Sequence, residues 1–258
     1  MRGAIPIESN QLPSSVWARV ESTEIHARVL RCPERQCPVI MLVHGLGLSS
    51  RYMVPLAQHL SPFFDVYAPD LPGFGKSGKP SDALDIAQLA AGLLAWMDQL
   101  GLTRVIALGN SFGCQVIAEM AILPPHRLEQ SILVGPTIDA HARTTLRQGG
   151  RLLSDIPWEP LSLLPLNIRD YLACRPARLW QTYRFALEDA IEEKLPHMSM
   201  PTLVVRGGRD PIVSQRWAEE VAALLPAGTL AVVPGAGHAV NYNSPAELAR
   251  LVTAFASR

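Results

Sequence analysis

Val105-Ile106-Ala107-Leu108-Gly109-Asn110-Ser111-Phe112-Gly113 is the stretch on which the reading of this chain turns. An apolar, partly β-branched run leads into it, and a helical pattern runs on from Cys114 to Ile122. The order is strand, sharp turn, helix, with Ser111 at the apex. A residue held in so tight a turn brings the positions two before and two after it close together, where side chains would collide. Gly109 and Gly113 occupy those two positions. Such a turn presents the serine hydroxyl at the C-terminal edge of a sheet, beside the unpaired N–H groups that open the next helix.

Outward from this turn, other strands also end in chemistry. The unbroken apolar run over 38–43 suits a central parallel strand covered on both faces, and it stops at His44-Gly45-Leu46-Gly47. Glycines there let the backbone turn an N–H into the crevice where an oxyanion would need a donor. His44 reads as a residue that ties the loop down. A strand over 64–68 precedes the loop Pro69-Asp70-Leu71-Pro72-Gly73-Phe74-Gly75-Lys76-Ser77-Gly78, in which Asp70 is expected to bond nearby backbone N–H groups. That loop lacks the four-residue gap of a phosphate-binding loop, and no helix follows it directly. Residues 16–20 and 25–29 alternate as two hairpin strands, with His26 on the polar, solvated phase. Further strands are expected at 103–108, 128–134, 202–206 and 230–233, and helices at 51–60, 83–100 and 215–225. Ser244, Pro245 and Glu247 spell a capping box for the last helix. Strands alternating with helices call for a mainly parallel sheet of about eight strands, with ligands at its C-terminal edge.

Between 137 and 198 the strand pattern disappears, arginines gather, and Leu, Trp and Pro fill the remainder. Helices over 144–153 and 176–187 fit this stretch. A helical insertion between two strands would lie over the crevice as a lid. The division is therefore core at 1–136, cap at 137–198 and core again at 199–258.

Composition narrows the function classes. Of 258 residues, 48% are hydrophobic and 18% charged, and 23 basic side chains balance 23 acidic ones. Zero net charge gives no reason to expect nucleic acid or an anionic membrane as partner. The N-terminal residues lack the apolar core of a signal peptide and no window is long enough to span a bilayer, so a cytoplasmic location is expected. Cys32 and Cys37 frame a turn and could pair only if oxidised, whereas Cys114 and Cys174 read as small buried hydrophobes. Their spacing does not suit zinc, and no metal or other cofactor is expected.

Three reactive groups then stand at strand ends in chain order: Ser111, Asp210 and His238. A serine hydroxyl is a weak nucleophile and needs a base within hydrogen-bond reach. An imidazole serving as base needs a carboxylate to hold its tautomer. Asp139, just past the strand at 128–134, is an alternative carboxylate.

With His44-Gly45-Leu46-Gly47, Asp70-Leu71-Pro72-Gly73-Phe74-Gly75, Gly109-Asn110-Ser111-Phe112-Gly113, Gly208-Arg209-Asp210 and Gly237-His238, the chain resembles the α/β-hydrolase fold superfamily over nearly its whole length. The resemblance implies an α/β-hydrolase fold with a helical cap. It also implies Ser111 as nucleophile, His238 as general base and Asp210 as its orienting acid, with the backbone N–H groups of Leu46 and Phe112 as the oxyanion hole. A serine at the apex sets aside the branches that use an aspartate there. Among the rest, an esterase acting on a small-molecule ester of an apolar acyl or aryl group is the leading expectation. Carbon–carbon hydrolases of diketone acids, in which a cap arginine would hold a substrate carboxylate, share the Gly-Asn-Ser form. However, they usually carry His-Gly-x-Gly-Pro-Gly and a Trp after the histidine, where this chain has Leu48-Ser49 and Ala239. Lactonases and thioesterases are further alternatives.

Overall fold

A computed structural model of the chain describes residues 11–123 and 125–257. The N-terminal residues read for a signal peptide, 1–8, lie outside them. Eight strands form one sheet: β1 (Ser14–Val20), β2 (Thr23–Leu30), β3 (Val39–Val43), β4 (Asp65–Pro69), β5 (Val105–Asn110), β6 (Leu128–Val134), β7 (Thr202–Gly207) and β8 (Gly228–Val233). Their spatial order is β1-β2-β4-β3-β5-β6-β7-β8. The hairpin strand β2 meets both β1 and β4 antiparallel. From β4 to β8 every pairing is parallel.

Helices α1 (Val54–Leu60), α2 (Ile86–Gln99) and α3 (Phe112–Ile122) fall between the early strands. Between β6 and β7 lie α4 (Thr145–Asp155), α5 (Leu163–Cys174), α6 (Pro176–Glu188) and the single turn α7 (Ile191–Lys194). The chain closes with α8 (Gln215–Leu224), the short α9 (Val240–Asn243) and α10 (Pro245–Ala256). Among the described residues no helix is long and apolar enough to cross a membrane.

The period of two in the central strands divides the core. Ile40, Leu42, Ile106, Leu108, Ile132 and Val134 face the layer that holds α1 and α10. Met41, Val43, Ala107, Leu133 and Val204 face α2, α3 and α8, whose Trp96 and Trp217 are completely enclosed. Burial on both faces explains why these strands read as unbroken apolar runs.

Two local expectations are overturned. Ser244 makes no side-chain cap bond to α10, because it also ends α9 and its ψ of 48° is not the extended conformation a cap needs. Glu247 instead pairs with Arg250 at 2.6 Å. A true capping box opens α2, where Asp85 and Gln88 exchange hydrogen bonds. His26 is not solvated either. Strand β2 is internal, and the ring is fully buried, bonded to Asp70 Oδ2 at 2.8 Å and packed on Trp17. Cys32 and Cys37 form a disulfide, while Cys114 and Cys174 are free and buried.

Candidate active site

The turn at Ser111 follows from its glycines. Ser111 has φ 55° and ψ −120°, a conformation a non-glycine residue adopts only when its surroundings impose it. A methyl group on Gly109 would lie 2.5 Å from the backbone of Gly113, and one on Gly113 would lie 2.4 Å from the carbonyl oxygen of Val43. The close approach expected of positions 109 and 113 is therefore present. Helix α3 begins at Phe112, so its N–H is among the donors that the helix itself cannot satisfy.

On the far side of the crevice, His238 Nδ1 lies 2.8 Å from Asp210 Oδ2. Asp210 is held in turn by the N–H groups of Ile212 and Val213, which donate to its Oδ1 at 2.8 and 3.0 Å. Burial opposes ionisation of this carboxyl, but the His238 ring and these N–H donors outweigh it and hold it below the usual carboxylate range. The imidazole shows the converse balance. Burial alone would lower it, yet Asp210, Asp155 and Glu159 together push it up to about 9. His238 Nε2 is buried and makes no hydrogen bond.

Strand β6 connects the two halves. The Ser111 N–H donates to Val134 O at 2.9 Å, and the next residue, Gly135, lies under the imidazole. Asn110 staples the same junction: its Nδ2 donates to Val134 O at 3.3 Å and to His238 O at 3.4 Å, while its Oδ1 accepts from the Tyr52 hydroxyl at 3.0 Å. Gly45, in the loop after β3, packs on the apex; a methyl there would meet Ser111 Cβ at 3.5 Å. The structure thus joins Asp210 to His238 directly and sets Ser111 against them through the end of β6, without a hydrogen bond from Ser111 Oγ to the ring.

Other sequence candidates take structural places. His44 Nδ1 lies 2.9 Å from Gly45 O, and its Nε2 accepts from the Leu71 N–H at 3.0 Å, so it ties two loops together. Asp70 accepts from the N–H groups of Ser50 and Lys76. Asp139 is engaged by Arg151 at 2.6 Å and by the Ser214 hydroxyl at 2.9 Å, leaving Asp210 as the partner of His238. A second Ser–His–Asp alignment exists, since Ser15 Oγ lies 3.0 Å from Nε2 of the His26 that contacts Asp70. Ser15 sits within an antiparallel strand with no helix opening after it, so it lacks the helix N-terminus that stands beside Ser111.

The segment between β6 and β7 reaches this site in ways the sequence did not reveal. Tyr171 and Leu179 lie against Gly47 in the loop after β3, and Trp158 lies against Gly237 beside the histidine. The only acids between 140 and 187 are Asp155, Glu159 and Asp170, set among seven arginines. All three turn back towards the core. Asp170 accepts from Ser49 Oγ at 2.6 Å, Asp155 from the His238 N–H at 3.3 Å and Glu159 from the Ala239 N–H at 2.7 Å. Three acids in so basic a segment were the available signal.

A family model described as the alpha/beta hydrolase family matches residues 40–251. The chain belongs to that family. Its relatives include the RutD protein of Pseudomonas savastanoi pv. phaseolicola, named as a carbamate hydrolase, which is 27% identical over 90% of this chain and 97% of its own length. Among solved structures, a bacterial membrane phospholipase A superposes with a TM-score of 0.81 at 24% identity, covering 95% of this chain and 86% of that one. The carboxylesterase CesB of Bacillus subtilis superposes with a TM-score of 0.75 at 22% identity, covering 96% and 92%. At such identities the two structures establish the fold of this hydrolase and nothing finer.

Proposed function

We propose that the protein is a serine hydrolase cleaving carboxylic esters of apolar acyl or aryl groups through an acyl-enzyme, with Ser111, His238 and Asp210 as its triad. The observation that carries this reading is the buried His238–Asp210 pair at 2.8 Å, with Ser111 held at φ 55° at the end of β5 and bonded to the end of β6, where Gly135 touches the imidazole. Ser111 Oγ attacks the ester carbonyl carbon while its proton passes to His238 Nε2. The carbonyl oxygen becomes an oxyanion that accepts from the N–H groups of Leu46 and Phe112. On collapse the carbon–oxygen bond breaks, and the Nε2 proton goes to the departing alkoxide. Water, deprotonated by the same imidazole, then releases the acid. Asp210 holds the tautomer and stabilises the imidazolium.

Residues 137–198 serve in this reading as a cap. Support comes from Tyr171 and Leu179, which lie against Gly47 after β3, and from Trp158, which lies against Gly237 beside the histidine. A carbon–carbon hydrolase is less well supported, because most cap arginines are already engaged. Arg143 pairs with Glu192, Arg151 with Asp139 and Arg184 with Glu188, while Arg178 donates to the carbonyls of Pro80 and Asp82.

The test is a panel of p-nitrophenyl esters of graded chain length run beside a vinylogous diketone acid, with wild type and Ser111→Ala. Ester turnover that drops by about 10³-fold or more in the variant is expected. Turnover of the diketone acid alone, or ester turnover unchanged in Ser111→Ala, would reject the proposal.

A further inference from the structure

Asp155 and Glu159 have no assigned task, yet they are the groups by which the helical segment grips the histidine loop. Asp155 ends α4, and Glu159 follows the short turn Ile156–Trp158. Their carboxylates accept from two successive backbone N–H groups, those of His238 and Ala239. Glu159 Oε2 also accepts from Asn243 Nδ2 at 3.3 Å, which fastens the same turn to α9. Gly237 leaves room for this contact, since a methyl there would come within 2.8 Å of Glu159 Oε1 and 3.1 Å of Trp158.

We propose that Asp155 and Glu159 form a latch that closes residues 155–159 onto the His238 loop and biases the imidazole towards its charged form. They are positioning residues that act through His238, and their effect on catalysis rests on the hydrolase reading above. The groups facing the imidazole are Asp210 beyond β7 and the Asp155–Glu159 pair on the helical segment. Facing the pair are His238, the Asp210 carboxylate and, across the crevice, the Tyr52 hydroxyl. Arg209, next to Asp210 in the loop after β7, lies over the Trp158 ring at 5.0 Å.

The sign follows from these charges. Burial and then the neighbouring Asp155, working against the Ala239 hydrogen bond, hold Glu159 up to about 7. Each carboxyl, once ionised, places a negative charge beside the imidazole and stabilises imidazolium. Hydrolysis needs the neutral ring, so the latched enzyme is restrained at neutral pH, and removing the two charges releases it.

The test is a histidine-labelled NMR titration of the full chain, with the His238 signal assigned by its loss in His238→Asn. Wild type is compared with Asp155→Asn, Glu159→Gln and the double variant, which keep the shape of the acceptors and remove their charge. The His238 midpoint should fall by about one unit or more in the double variant. Where esters are turned over, the acid limb of kcat/KM should move by the same amount, a gain of roughly tenfold on that limb. A midpoint within about 0.3 unit of wild type in all three variants would overturn the latch. If the double variant fails to fold, the single variants decide by the direction of their shift, and no fall in either overturns it. The titration needs no substrate, so a chain that hydrolyses no ester would reject the hydrolase reading and leave this result standing.

Discussion

Replacing Gly135 with alanine tests whether His238 works where the structure puts it. A methyl carbon at position 135 would stand 2.9 Å from His238 Cε1, 3.0 Å from Nδ1 and 3.4 Å from Asp210 Oδ2. Carbon atoms rest at about 3.5–4.0 Å, so the ring must withdraw by roughly 0.6–1 Å. A displacement of about 1 Å at a reacting group costs on the order of 10²-fold in rate. That corresponds to roughly 2.7 kcal/mol of barrier. The φ of 56° at this position adds a conformational penalty of about 1–2 kcal/mol for any residue with a Cβ. For a chain of this size that lowers Tm by roughly 2–8 °C. The assay is kcat and KM on a short p-nitrophenyl ester, with thermal unfolding in parallel. Below the unfolding range, kcat should fall about 10–100-fold, with KM within about threefold. A folded Gly135→Ala protein that keeps kcat within about twofold would show that the imidazole beside β6 is not the one that moves protons.

Because His238 must be neutral to accept a proton and is held up to about 9, kcat/KM should rise with pH through the neutral range towards that value; a profile flat from pH 6 to 9 would remove His238 as base. Asp210→Asn should reduce kcat by about 10⁴-fold through loss of the correct tautomer, while Asp139→Asn should cost far less because it faces Arg151 and Ser214; equal losses in the two variants would argue against this assignment. Asp70→Ala should lower stability by about 3–5 kcal/mol in denaturant unfolding, since His26 and two backbone N–H groups lose a buried acceptor together. A loss below about 1 kcal/mol would mean that Asp70 is not the hub it resembles.

The sheet and its reactive strand ends were legible because the physics that places them is local. The 109–113 turn needs small residues on both sides of its apex, and continuous apolar runs mark strands buried on both faces. Pairs joined across long stretches of chain were harder to see. His26 lies on the polar phase of an alternating strand, and only the return of the 70–77 loop 44 residues later buries it. Ser244 has the residue type of a cap, but α9 ends on it and takes the backbone geometry that a cap requires. Asp155 and Glu159 carry no motif at all. Their meaning depends on a contact made about 80 residues away, between the helical segment and the histidine loop. Asn110 was visible only as a variation on a motif, whereas the structure makes it the bond between β5, the end of β6 and the His238 backbone.

The nucleophile can be tested most directly by incubating the protein with a fluorophosphonate and mapping the adduct by peptide mass. One adduct per chain is expected, on Ser111, absent from Ser111→Ala and much slower to form in His238→Ala. An adduct on Ser15, the serine of the other Ser–His–Asp alignment, or no adduct on any serine, would contradict the assignment of Ser111 as the attacking group.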